Sequence, residues 1–294
     1  MAVFAGFYAL MALGLNVIWG LAGMINLGLV GFFAIGAYTS ALLTVNLHLP
    51  MLVGWAAAAA GCLAGIALAL ITARLKGDYL AIVTLGFSEI VRLVASNEIW
   101  LTRGTDGISA IPGPFRGALS PLAFNAMFAA LIWVVVLVVA GLLGRLSGSP
   151  FGRVLRAIRE DEMVAAVAGK RVLAFKLRAF AVGAAVLGFA GALYAHYNGY
   201  VAPDAFQPLI TIYVVLALTA GGTGTMRGAM LGAVLVIALT EGTRFLDEVL
   251  PGLAPVQVAA LREAVIGTVL ILVLTFRPQG LVPERARTFK LETT

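Results

Sequence analysis

Runs of about 20 apolar residues recur along the chain, the length a helix needs to cross the hydrocarbon core of a bilayer. Nine segments carry them: 2–19, 23–46, 51–73, 79–96, 122–144, 179–199, 208–222, 228–246 and 263–277. A water-soluble fold cannot hide so many. Only 12% of the 294 residues are charged, against about a quarter in soluble domains. A transmembrane barrel is excluded, because barrel strands alternate polar and apolar residues over about ten positions. The expected fold is therefore all-α: one polytopic integral membrane domain over residues 1–294. The fourth segment carries charges, and the seventh and ninth are short. Because short or glycine-interrupted spans can be broken or re-entrant, the expected number is about nine helices, within eight to ten.

Glycine and cysteine fit that reading. The 34 glycines fall largely inside the spans, where they let helices approach closely. Cys62 is the single cysteine, so no disulfide or metal cluster is expected, and it reads as span packing. The opening residues lack the basic stretch and small-residue exit of a cleaved signal and read as the first span.

The basic residues orient the chain. With 145–178 on the cytoplasmic side, two Lys/Arg fall in 74–78, eight in 145–178, one in 221–227 and four in 277–294, fifteen of 20 in all. The opposite side holds two in 97–121 and one in 247–262. This predicts an outside N-terminus and a cytoplasmic C-terminus, with 282–294 as a cytoplasmic tail. It also explains the formal charge of +6 without any nucleic-acid partner. Two pairs of segments echo each other at nearly the same offset, 86–94 with 238–246 and 30–38 with 187–194, as duplicated transporter halves would. Apolar sequence of low complexity produces such matches by chance as well.

The segment from Ser149 to Arg178 breaks the apolar pattern. Ser149 and Pro150 are suited to start a helix, nothing from Arg153 to Ala168 breaks one, and Gly169 is suited to end it. Val154, Leu155, Ile158, Met163 and Val167 make an uneven apolar side. Arg153, Arg156, Arg159 and the run Glu160, Asp161, Glu162 lie elsewhere. Lys170, Arg171, Lys176 and Arg178 re-enter at the lipid headgroups, which favour cations by about 1 kcal/mol each. A solvated loop that only sets orientation needs positive charge, not this ordered helix.

The stretch resembles the coupling loop of ABC importer permeases. The general pattern, Glu-Ala-Ala with glycine following, is met only in part, since Met163-Val-Ala165 stands before Gly169. The narrower resemblance is to permeases of branched-chain amino acid importers, the LivM/LivH family. It rests on Gly152-Arg-Val-Leu-Arg-Ala-Ile-Arg-Glu-Asp-Glu162 with Ala165, Ala166 and Gly169. It extends to Leu15-Asn-Val-Ile-Trp-Gly20, Gly31 to Tyr38, Gly77-Asp-Tyr-Leu-Ala-Ile-Val-Thr-Leu85, Glu89 to Arg92, Gly104-Thr-Asp-Gly107, Gly191-Ala-Leu-Tyr-Ala195, Gly221-Gly-Thr-Gly-Thr225 and Phe276-Arg-Pro-Gln-Gly-Leu281. These blocks run in one order over nearly the whole chain. The length of 97–121 and the block around Tyr79–Arg92 favour the LivM type.

The resemblance implies a permease subunit of an ATP-driven importer in the bacterial inner membrane. It would pair with a second, LivH-like permease, two ATPase subunits and a periplasmic binding protein, and pass branched-chain amino acids by alternating access. No enzymatic activity or cofactor is expected on this chain, with ATP and magnesium held by the ATPases. The sequence has no phosphate-binding loop: Gly169-Lys170-Arg171 lacks the hydroxyl residue after lysine, and 222–228 is misspaced and reads as a tight turn. The ATPase-docking candidates are Arg153, Arg156, Arg159, Glu160, Asp161, Glu162, Ala165, Ala166 and Gly169. Urea, a short amide, another amino acid or a sugar remain open as cargo, and an ion-coupled secondary transporter remains open as a class.

Intramembrane charge is costly, about 2.5–3.5 kcal/mol per residue on insertion scales. Glu89 and Arg92 lie three apart on one helix face, as do Glu241 and Arg244. Each pair fits a pathway gate or a packing ion pair. Asn26, Phe33, Gly36 and Ser40 fall on one side of the second span and fit a pore face or a helix interface. Asn16 sits near the inner end of the first span. In 97–121, Arg103, Asp106 and Arg116 fit either docking of a binding protein or a cap on this subunit. His48 reads as lying at the outer surface, and His196, in or near a span, has no nucleophile or metal partner near in sequence.

Overall fold

A computed structural model describes residues 1–58, 61–72, 75, 77–242 and 255–284. Helix α1 (Ala2–Leu15) continues into a π-helical segment, Asn16–Leu21, and α2 spans Leu29–Val45. Next come α3 (Met51–Ala58), α4 (Gly61–Ile71), α5 (Asp78–Asn97) and the single turn α6 (Ile99–Thr102). Strand β1 (Ile108–Ser109) precedes the long α7 (Pro121–Gly148), then α8 (Pro150–Glu160), α9 (Glu162–Val167) and α10 (Val172–Asn198). Strand β2 (Tyr200–Val201) leads to α11 (Pro208–Gly221), α12 (Met226–Gly242) and α13 (Pro255–Phe276).

Each of the nine predicted segments overlaps helix among the described residues, with 59–60, 73 and 243–246 lying outside them, but the bounds differ. α2 begins at Leu29 and not at 23, while α10 begins at Val172, seven residues before the predicted span. Among the described residues, six helical stretches are long and apolar enough to cross a membrane: 2–21, 51–71, 78–97, 121–148, 172–198 and 203–221. The stretches 29–45 and 263–273 are shorter apolar helices. A polytopic all-α protein therefore stands, and a count of nine crossings remains an expectation.

Glycine sets the packing. A Cβ at Gly36 of α2 would meet the Gly188 carbonyl of α10, and one at Gly191 would meet the Phe33 carbonyl. Gly65 of α4 leans on Ala184 and Phe180 of α10, and Gly232 of α12 on the Ala217 carbonyl of α11. Helices in lipid gain little from burying apolar surface, since lipid is equally apolar; close contact through small residues supplies the attraction instead. The first span is 78% buried, and the α7 span only 22%. α1 is thus the central post, while α7 turns Val134, Leu137, Val138 and Leu142 outward as a lipid-facing side would.

The bundle has two distinguishable ends. At one, the π segment, α8, the 221–226 turn and the Arg277–Glu284 segment meet. At the other, β1 pairs antiparallel with β2, Ile108 opposite Val201. There Phe7, Phe128, Tyr194 and Tyr197 form an aromatic cluster with ring centroids 4.9–6.3 Å apart.

Candidate functional site

The charged segment folds as an elbow, which corrects the single helix expected over 150–169. Ser149 Oγ accepts from the Gly152 N–H at 3.5 Å, and Pro150 takes the first turn, so α8 starts as anticipated. Gly152, Leu155 and Ile158 turn inward; Arg153, Ala157 and Glu160 turn outward. The helix stops at Asp161, whose backbone is extended at φ −150°, ψ 110°. Its carboxylate accepts from the Met163 and Val164 N–H groups at 2.8 and 3.0 Å. Asp161 is thus the N-cap of a second helix, a role a short acceptor side chain fills better than a helix interior. Gly169, at φ +76°, ends α9 as expected, with the Lys170 N–H returning to the Ala165 carbonyl at 3.1 Å. Glu162 anchors α9 to Lys176 of α10 at 2.8 Å.

The elbow leaves Met163, Val164 and Val167 at 75, 64 and 86% exposure. Between the helices runs a groove of about 430 Å³, floored by Val154, Ala157, Val164 and Ala168 and edged by Arg153, Glu160, Asp161 and Lys170. Arg153, Glu160, Asp161, Ala166 and Gly169 are on this outer surface, while Ala165 is buried. Two docking candidates turn the other way. Arg156 donates to Ser147 Oγ at 3.0 Å and to its carbonyl at 3.1 Å. Arg159 donates to the Gly20 carbonyl and to Glu284.

The expected pore face of the second span is divided and buried. Asn26 precedes α2, in a turn where its Oδ1 accepts from the Gly28 N–H at 2.7 Å, so it does not share a helical face with the others. Phe33 packs on Tyr194 and Phe206 at 5.3 and 5.8 Å between centroids. Gly36 meets Gly188, and the fully buried Ser40 lies 2.8 Å from His196 Nε2. These residues form the α2–α10 interface. Asn16 is equally buried: its Oδ1 accepts from the Gly224 N–H at 2.8 Å, and its Nδ2 reaches Met226 Sδ at 3.6 Å.

Glu89 and Arg92 are different. They form a two-pronged ion pair on α5, with side chains 36% and 25% exposed. Ile82, Ile90, Leu93 and Val94 are exposed on the same helix, and a Cβ at Gly86 would meet open space. Hydrogen bonding to Arg92 keeps the pair together on a side that the described residues leave partly exposed. Glu241 is engaged within the chain, and Arg244 and the side chain of Cys62 lie outside the described residues.

At the opposite end, the 97–121 segment is packed on its own chain. Arg116 donates to the His196 and Asn198 carbonyls at 3.2 and 3.3 Å and to that of Tyr197, capping the C-terminus of α10, where a cation is favoured. Its guanidinium lies 5.0 Å from the Phe124 ring centre. Arg103, left-handed at φ 64°, and Asp106 are exposed, with the Asp106 carbonyl accepting from Tyr200 Oη at 3.0 Å.

Sequence reasoning missed Glu284 and the pairing of His196 with Ser40. Their partners are 125 and 156 residues away, and no local spacing signals either. Among the described residues, no group of three His, Cys, Asp or Glu could hold a metal ion.

Comparison with known proteins matches residues 1–274 to the family described as branched-chain amino acid transport system / permease component. The chain is 35% identical to the high-affinity branched-chain amino acid transport system permease protein LivM of Salmonella typhimurium, over 97% of this chain and 70% of that protein. It is 28% identical to the probable branched-chain amino acid transport permease protein LivM of Methanocaldococcus jannaschii, over 95% and 91%. It is 27% identical to the high-affinity branched-chain amino acid transport system permease protein LivH of Escherichia coli, over 94% and 91%. No solved structure matches.

Proposed function

The chain belongs to the branched-chain amino acid transport system permease family, and from that premise we propose that it forms half of an ATP-driven path for leucine, isoleucine and valine. A second permease supplies the other half. Two ATPase subunits grip the α8–α9 elbow, and a binding protein delivers cargo at the end carrying Arg103 and Asp106. The elbow end faces the cytoplasm of a bacterial inner membrane, in keeping with the basic-residue bias. ATP closes the ATPases, the elbow moves, and the permease halves tilt to release cargo inward.

The observation that carries this reading is the elbow. Its exposed apolar residues, Met163, Val164 and Val167, stand among charges on helices too short to be spans. Such a mixed, groove-bearing surface suits a protein partner better than lipid or bulk water. The α5 side bearing Glu89 and Arg92 suits the seam with the second permease, because an ion pair at that depth is costly in hydrocarbon.

The test is reconstitution of the chain with its second permease, ATPases and binding protein in liposomes, followed by uptake of labelled leucine. ATP-dependent accumulation that disappears when 152–169 is replaced by a flexible linker is the expected result. Accumulation by the chain alone from an ion gradient would overturn it. A melting-temperature rise of the binding protein with leucine, isoleucine or valine, and none with urea, identifies the cargo.

A further inference from the structure

We propose that Arg159 is a strut carrying movement of the elbow into the central post α1, and that Glu284 is the positioning residue that holds the strut in place. This rests on the reading that α8–α9 is the driven element.

The contact begins at a helix end. The π segment closes at Leu21, leaving the Gly20 carbonyl at its C-terminal edge. Carbonyls at such ends lack intrahelical partners and favour a cation. Arg159 of α8 supplies it, donating from Nη1 to the Gly20 oxygen. Room for the arginine stem comes from Gly23: a Cβ there would sit 2.7 Å from Arg159 Cγ. The π segment continues α1 to its C-terminal end, so α8 there contacts the main chain of the central post directly.

The other fork of the guanidinium is fixed by the C-terminal segment. Arg159 Nη2 donates to Glu284 Oε2 at 2.7 Å, and Arg156 Nε lies 3.9 Å from Glu284 Oε1. Glu284 is held by backbone pairing. Leu281 N–H donates to the Ala220 carbonyl and Val282 N–H to the Gly221 carbonyl, both at 2.9 Å, while Thr225 Oγ1 donates to the Val282 carbonyl at 3.1 Å. The same turn holds the π segment through Gly224 N–H and Asn16. α8, α1, the 221–225 turn and the C-terminal segment therefore meet at one guanidinium. A planar fork can serve a carbonyl and a carboxylate at once, whereas a lysine offers a single point of charge.

The experiment measures leucine transported per ATP hydrolysed in the reconstituted complex. Glu284→Gln preserves shape and removes charge; Arg159→Gln removes the strut. For both, assembly and ATP hydrolysis are expected to persist while transport per ATP falls about fivefold or more, the scale of a lost charge-assisted hydrogen bond. Arg159→Lys should recover only part of the loss. Transport per ATP in Glu284→Gln within about twofold of the unaltered chain, or its failure to assemble, overturns the proposal, since fork geometry would then not govern coupling. A parallel fall of hydrolysis and transport, as expected of a docking residue, overturns it too. If the unaltered complex shows no ATP-dependent uptake, the importer reading itself fails and the strut with it; if that complex couples and the variants couple equally, only the strut fails.

Discussion

Ser40 on α2 and His196 on α10 are joined by a buried 2.8 Å hydrogen bond. The other ring nitrogen, Nδ1, lies 2.5 Å from the Pro112 carbonyl. A carbonyl only accepts, so Nδ1 carries the proton, and in the neutral ring Nε2 accepts from the serine hydroxyl. One imidazole thus joins two spans to the 97–121 segment. Ser40→Ala leaves Nε2 without its donor in a buried site and should destabilise the folded chain by about 1 kcal/mol. Thermal unfolding in detergent measures it, and an unchanged melting temperature would show that the bond contributes nothing net.

Glycine contacts predict a contrast between two similar substitutions. Gly36→Ala forces a methyl group against the Gly188 carbonyl, and overpacking of this kind costs about 1–3 kcal/mol. Gly86→Ala meets nothing within 4 Å and should leave the isolated chain within about 0.5 kcal/mol of its original stability. Unfolding of both variants, side by side, checks the difference.

Removing one member of the Glu89–Arg92 pair leaves the other charge alone within a span. Glu89→Gln or Arg92→Gln should each lower the yield of assembled permease, at a cost of about 2.5–3.5 kcal/mol. The double variant should recover most of the yield, because no unpaired charge remains. Size-exclusion chromatography of the permease pair reads the outcome. Additive losses in the double variant would argue against pairing.

Val164→Asp and Val167→Asp place charge on an already exposed surface. Folding should change by less than about 0.5 kcal/mol. Affinity for the ATPase subunits should fall about tenfold or more, because docking would then bury an unpaired carboxylate in an apolar contact. Pull-down of the ATPases at graded concentration measures it.

Asp161→Ala removes the carboxylate that accepts two N–H groups at the start of α9. Loss of such a cap costs about 1 kcal/mol of local helix stability. Faster amide hydrogen exchange in 162–168, with α8 unaffected, is the expected signature.

Much of the fold was legible because span length and charge are local signals. So were the ends of the elbow, where Ser149, Pro150 and Gly169 each act through their own backbone chemistry. The break at Asp161 was harder: within an acidic run, one more carboxylate reads as helix surface until its bonds to Met163 and Val164 are seen. Asn26 was misjudged for a similar reason, since apolar neighbours conceal a turn closed by its own side chain. The inward direction of Arg159 could not be read at all, because it depends on Gly20 and Glu284 arriving from distant parts of the chain.

The contact between α2 and α10 has a mechanical consequence. At Gly36 and Gly191, each helix sits on a carbonyl of the other with no side chain between them. Shifting one along the other by a single residue would drive bulkier neighbours into that gap. The two helices must therefore swing together like a rigid door leaf.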